Sequence, residues 1–175
     1  MACTLNTGRK LPCKSAFGGI KTVWFGDFGG ITGVTVDSTT KQVTTIAGTQ
    51  PDWYQFDVKG NSSLETTVTS SRENGTTFYT QTLNLTLTYL EAQTQAELQQ
   101  IAVARPYVVV EDYYGNQFLC GLENGMEFVS GTVVSGAAAG DLSGFTLVME
   151  GMEELAPYFL DSGLIVADPA AIVPN

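Results

Sequence analysis

The chain contains no histidine, and only eight of its 175 residues are lysine or arginine. Without imidazole there is no Ser-His-Asp arrangement, no histidine general base and no supply of the commonest metal ligand. Cysteine is scarce as well. Cys3, Cys13 and Cys120 are odd in number and form no C-x-x-C pair, which argues against a disulfide framework or a thiolate zinc site. No stretch approaches the roughly 18 consecutive apolar residues of a membrane helix. Met1 is followed by Ala2, Cys3 and polar residues with no apolar signal core, so a soluble, unexported chain without a membrane partner is expected. G-x-S-x-G, Walker A and H-E-x-x-H are all absent.

The remaining candidates for chemistry read better as structure. Glu111 and Asp112 are neighbours in a strand-like run, where adjacent side chains point to opposite faces and do not share a site. Glu153 and Glu154 suit the first turn of a short helix, where the backbone dipole favours acids. "FGDFGGITG" has glycines but no following helix and no Lys-Ser or Lys-Thr, so it reads as turn chemistry. Trp24, Trp53, Phe78, Tyr79, Tyr113 and Tyr114 offer stacking faces for sugars or bases, but all except the two turn tyrosines fall in strand-like runs and suit a core. Sequons at Asn61, Asn74 and Asn84 carry little weight in a threonine-rich chain with no export signal. The expectation is a non-enzyme with no cofactor, no metal and no catalytic residue.

Charge is uneven along the chain. Residues 1–60 hold six basic groups against four acids, whereas residues 61–175 hold only Arg72 and Arg105 against fourteen acids. The net charges are +2 and −12, within a total of −10. Such a split fits charge complementarity between parts of one molecule or of neighbouring copies, or an acidic surface that maintains solubility, and it disfavours nucleic-acid binding over the main body.

Thr, Val, Leu, Gly and aromatic residues suit pleated strands joined by glycine turns, and the length fits one domain. Residues 1–15 lack periodicity and read as an N-terminal arm, 16–160 as a single β-rich domain, and 161–175 as an apolar C-terminal arm. Strands are expected at 20–25, 31–37, 42–46 and 53–58, with Pro51 ahead of the last, where a missing amide hydrogen is tolerated. Two β-prone runs flank Arg72-Glu73-Asn74-Gly75, and Asn-Gly is a strong hairpin signal because both residues accept positive φ. In the second run Leu83, Leu85, Leu87 and Tyr89 alternate with Asn84, Thr86 and Thr88, giving an apolar face and a hydroxyl face.

The period then changes. Thr94 and Glu97 form a T-x-x-E capping box, after which Leu98, Ile101 and Ala102 fall at helical spacing, and Pro106 closes the segment. A helix of about ten residues is unstable alone, so these three side chains are expected to pack it on the sheet. "YVVVED", "QFLCGL" and "MEFVSGTVVS" follow as a meander, "GAAAGDLSG" as a connection and "FTLVMEG" as a closing strand. The class is mainly β, a barrel or sandwich with a long hairpin and one short flanking α-helix.

The order of Asn-Gly hairpin, "LNLTLTYLE", "QAELQQIAVA", "YVVVED", "YYGN" and "QFLCGLENG", with the later "GAAAGDLSGFTLVMEGMEELAPYF", resembles the tail-tube and tail-ring proteins of tailed bacteriophages. The resemblance covers about residues 61–160; the first 60 residues match nothing that carries over. It implies a virion structural subunit, made in the host cytoplasm, that forms a ring of identical copies. The ring contacts other virion proteins and passes DNA without binding it specifically. The expected subunit interface comprises Arg9, Lys10, Arg72, Glu73, Asn74, Gly75, Thr76 and Phe78. Two other classes fit the composition: a capsid decoration or head-fibre protein, and a carbohydrate-binding β-sandwich using Trp24 or Trp53.

Overall fold

The computed structural model describes residues 17–58, 61–161 and 164–165. Arg9 and Lys10 lie outside the described residues. In chain order the elements are β1 (Ile20–Gly26), β2 (Ile31–Val36), β3 (Val43–Gly48), β4 (Trp53–Asp57), β5 (Ser63–Ser71), β6 (Thr76–Thr88), α1 (Ala92–Val103), β7 (Tyr107–Asp112), β8 (Gln117–Cys120), β9 (Glu127–Val134), β10 (Gly144–Glu153) and β11 (Tyr158–Leu160). They form a seven-stranded sheet in the order β2-β3-β11-β8-β7-β1-β4 and a four-stranded sheet in the order β5-β6-β10-β9. The chain is mainly β with a sandwich-like layout; among the described residues no pairing of β2 with β4 closes the larger sheet into a barrel.

Side-chain alternation builds the core between the sheets. Val23 and Phe25 of β1 and Val108 and Val110 of β7 meet Leu83, Leu85 and Leu87 of β6 and Phe145, Leu147 and Met149 of β10. Each such side chain contributes about 1.5 to 3 kcal/mol when fully buried. A second cluster lies on the other face of the larger sheet: Trp24, Val43, Ile46, Trp53, Tyr107, Val109, Leu119, Leu160 and Ile165. β3 and β4 stand near opposite ends of the strand order yet share this cluster, so the sheet curls around it. Burial on both faces explains why "YVVV" is a continuous apolar run instead of an alternating one. Ile165, in the stretch expected as a C-terminal arm, is buried in the second cluster, and the Asp161 N–H donates to the Val43 carbonyl at 2.9 Å.

Several local expectations change in the fold. The hairpin forms around the expected residues 72–75, between the Ser71 and Thr76 partners, but Gly75 (φ 64°) and not Asn74 adopts positive φ. Tyr89 does not extend the apolar face: φ turns to 75° there, its N–H donates to Ser143 at 2.8 Å, and the ring is 83% exposed. The helix starts earlier than a Thr94 cap would place it. Glu91 is the N-cap without a side-chain cap bond, so no Thr94–Glu97 box forms; the Thr94 hydroxyl donates to Glu91 Oε2 instead, at 3.2 Å.

β7 and β8 pair as expected, but β9 belongs to the other sheet, so the meander is interrupted. The crossing segment between them turns at Gly121 (φ 69°) and Gly125 (φ 77°). Gln81 accepts the Gly121 N–H at 3.1 Å, and the two carboxylate oxygens of Glu153 accept the N–H groups of Glu123 and Asn124, each at 3.0 Å. Glu153 is therefore a buried strand-end clamp and not the opening of a helical turn.

Within α1, Leu98 joins the core between the sheets, Ile101 packs against it half-buried, and Ala102 is exposed. Leu98→Ala is expected to cost about 2 to 4 kcal/mol, the range for emptying a buried leucine site. Ala102→Ser, at an exposed position, stays within about 0.5 kcal/mol. Urea midpoints of the two variants check this; equal midpoints would mean that Leu98 does not anchor the helix.

Candidate functional site

The outward face of the four-stranded sheet is the most unusual surface of the molecule. β5, β6, β9 and β10 contain no lysine or arginine. Their registers align Glu65, Thr82, Glu150 and Glu127 on one rung that crosses all four strands. A second rung joins Thr86, Thr146 and Thr132, and the last two share a hydroxyl–hydroxyl hydrogen bond. Glu150 and Glu127 face each other directly on adjacent strands, a like-charge pairing that opposes folding. Such an arrangement is maintained at a cost to the isolated subunit.

Among the described residues neither edge of this sheet has a further strand beside it, although α1 packs beside β9. β5 (SLETTVTSS) is almost wholly exposed, with Glu65 its only charge and no proline. β9, the opposite edge, has a register shift beside Val148, but residues 130–134 (SGTVV) run on uncharged, with Val133 and Val134 exposed. Native edge strands are usually blunted by charge, proline or a covering element. β6, in contrast, is interior, paired to β5 and β10, so the open edge of the hairpin is its first arm and not residues 76–89.

The hairpin tip brings most of the expected interface residues together. Pairing of β6 with β10 ends at Tyr79 and Glu153, whereas β5 and β6 stay paired through Thr69–Phe78, Ser70–Thr77 and Ser71–Thr76. The tip projects about 10 Å beyond its neighbour, at about 3.4 Å per residue. Arg72, Glu73, Asn74, Gly75 and Thr76 are exposed on it, and Phe78 is half-buried at its base. The carboxylate rung is the part that sequence reasoning missed, because its members come from four separate strands.

At its two open sides the sandwich leaves grooves. Helix α1 lies along one, of about 440 Å³, lined by Phe25, Tyr54, Phe56, Glu97, Ile101 and Pro106. The other, of about 450 Å³, lies between β5 and the larger sheet and is lined by Gly19, Ile20, Leu64, Thr66, Val110 and Phe118 among others. Trp24 and Trp53 are buried in the second cluster and offer no stacking surface. Tyr113 and Tyr114 remain exposed at the β7–β8 turn. Glu111 is held away from Asp112: its carboxylate takes the Lys21 ammonium at 2.8 Å and the Gln117 amide at 2.9 Å, while Asp112 accepts the N–H groups of Tyr114 and Asn116 in its own turn. Burial pushes Glu111 up, but those two bonds outweigh it and leave its carboxyl below the usual value. Burial raises the Cys120 thiol to about 12, so this cysteine stays protonated and inert.

Burial also raises Glu153, and the two N–H donors only partly offset it. With the folded value above the unfolded one, the contribution of this group is complete below the ordinary glutamate range and is lost as pH rises through the folded value. The stability difference between the native chain and Glu153→Gln is therefore expected to shift against the native chain as pH climbs from about 4 toward 7. Denaturant midpoints across that window test it; a difference independent of pH defeats the assignment.

No family model, curated protein or solved structure matches the chain.

Proposed function

We propose that the protein is a structural subunit of a bacteriophage virion that assembles into rings of the tail tube or head-tail connection through which DNA passes. The observation that carries the reading is the four-stranded sheet, which has no further described strand paired at either edge and has a face of hydroxyls and carboxylates with no base among its strands. In the ring, β9 of one copy pairs with β5 of the next. The contact is head-to-tail, and it closes when the rotation between copies divides the circle. The carboxylate rung then runs from copy to copy around the lumen. DNA meets like charge there, and a wall that offers its phosphates no cation has no means of holding them. The cost of opposing Glu150 to Glu127 fits a face selected for repulsion over subunit stability. The projecting hairpin reaches the neighbouring copy or ring, and the role requires no turnover.

Electron microscopy of concentrated protein tests the proposal. Hollow rings or tubes support it. Trimers or knobs favour a capsid decoration or head-fibre protein instead, and a monomer at every concentration rejects it.

A further inference from the structure

The tripeptide Glu-Asn-Gly occurs twice, at 73–75 and at 123–125, and each copy lies in a turn with its glycine at positive φ, 64° at Gly75 and 77° at Gly125. The asparagine is exposed in both. Asparagine followed by glycine has an intrinsic chemical weakness: the glycine backbone nitrogen can attack the asparagine side-chain amide carbon, and a residue without Cβ puts little in its way. The two copies hold these reactants in opposite surroundings. At the second, the Asn124 side-chain amide donates to the Met152 carbonyl at 2.7 Å, its backbone N–H donates to Glu153 at 3.0 Å, and the Gly125 N–H donates to the Gly121 carbonyl at 3.0 Å. Gly125 is also buried, with the Arg105 carbonyl oxygen 2.8 Å from where a Cβ would stand. At the first, neither the Asn74 side chain nor the Gly75 N–H has a hydrogen-bond partner among the described residues, and only the Asn74 backbone N–H is engaged, donating to Ser71 Oγ at 3.3 Å. Nothing stands within 4 Å of a Cβ added at Gly75.

We propose that Asn74 is a site of spontaneous deamidation and that the fold protects Asn124 from the same reaction. The Gly75 N–H gives its proton to solvent base, and the nitrogen attacks Asn74 Cγ. A new N–Cγ bond closes a cyclic imide, the Cγ–Nδ2 bond breaks, and the side-chain nitrogen takes up a proton from water and leaves as ammonia. Water then adds to either imide carbonyl and opens the ring to aspartate or isoaspartate, so water is the only co-reactant and nothing is oxidised or reduced. Both products place a new carboxylate beside Glu73, and isoaspartate also moves the side-chain methylene into the main chain ahead of Gly75. At Asn124 the attack first requires a local opening that frees the Gly125 N–H from Gly121 and the Asn124 amide from Met152.

The modification stands independently of the ring reading. Only its effect on assembly rests on that reading, in which the hairpin tip reaches the next copy: a lengthened and more acidic tip assembles poorly, so ageing of the free chain sets a time limit on ring formation.

The test incubates the full chain in mildly alkaline buffer, folded and in guanidinium chloride, and follows residues 74 and 124 by peptide mapping with mass spectrometry. An isoaspartate methyltransferase assay identifies the rearranged product. In the folded chain, conversion at Asn74 is expected to be at least about tenfold faster than at Asn124, because the latter waits on an opening that breaks several hydrogen bonds. In denaturant only the shared tripeptide remains, and the two rates should become similar. Equal rates in the folded chain overturn the proposal, as does an Asn74 that stays intact when folded while it converts in denaturant. Sedimentation of the aged chain keeps the two readings apart. Conversion at Asn74 in a chain that never forms rings upholds the site and rejects the rings; rings from a chain whose Asn74 does not convert do the reverse. Rings that take up converted and unconverted chains equally refute the time limit.

Discussion

A chain lacking residues 72–77 is expected to remain folded and to form no rings. The deleted residues are all exposed, and none belongs to either hydrophobic cluster. Val68 and Tyr79 are paired in the intact hairpin, so after deletion they close a new loop of Thr69, Ser70, Ser71 and Phe78, the same loop length as before. The between-sheet core is untouched, and the thermal midpoint should move by no more than a few degrees, as a change of about 1 kcal/mol gives in a domain of this size. Assembly is another matter, because the tip is the part of the four-stranded sheet that extends past β10. If the intact chain forms rings as proposed, the expected result is native-like circular dichroism with a monomer in sedimentation at concentrations where the intact chain assembles. A deletion variant that builds the same oligomer as the intact chain would show that the projecting hairpin tip takes no part in assembly. Salt gives a second distinction, since any contact through Arg9 and Lys10 is screened while strand pairing is not.

A large effect on folding is expected at Gly144. This residue opens β10 between Thr88 of β6 and Val134 of β9, and a Cβ there would sit 2.0 Å from the Leu87 carbonyl oxygen. That oxygen is backbone, so no rotamer relieves the clash; β6 and β10 must separate or lose their register. Since β6 and β10 form the centre of the smaller sheet and carry six core side chains, the cost reaches both the ladder and the core. Gly144→Ala is expected to destabilise by about 3 kcal/mol, the upper part of the usual overpacking range. Gly33 is the control. It lies in β2 with nothing within 4 Å of an added Cβ and no positive φ, so Gly33→Ala should be neutral or stabilise by up to about 1 kcal/mol. Urea titrations of the pair decide the point, and equal midpoints would contradict the packing argument.

What the sequence determined by itself was local. Alternation places Leu83, Leu85 and Leu87 inside and Asn84, Thr86 and Thr88 on the other face, because side chains in a strand have a period of two. The Asn74-Gly75 signal marks the hairpin, and helical spacing from Leu98 to Ile101 marks the helix, because turn chemistry and periodicity are set by residues within a few positions of one another. Tertiary structure decided everything that depends on which strands meet. Backbone ladders form with little regard to sequence, so nothing in "QFLCGLENGMEF" requires β8 and β9 to part into different sheets; Gln81 and Glu153, far away in the chain, hold that crossing. The curl of the larger sheet buries Trp24 and Trp53, which as isolated residues suit a ligand face equally well. The same reason hides the candidate site. Glu65, Thr82, Glu150 and Glu127 become one line of charge only when β5, β6, β10 and β9 align in register, and the edges of β5 and β9 become free only because no other described strand is placed beside them.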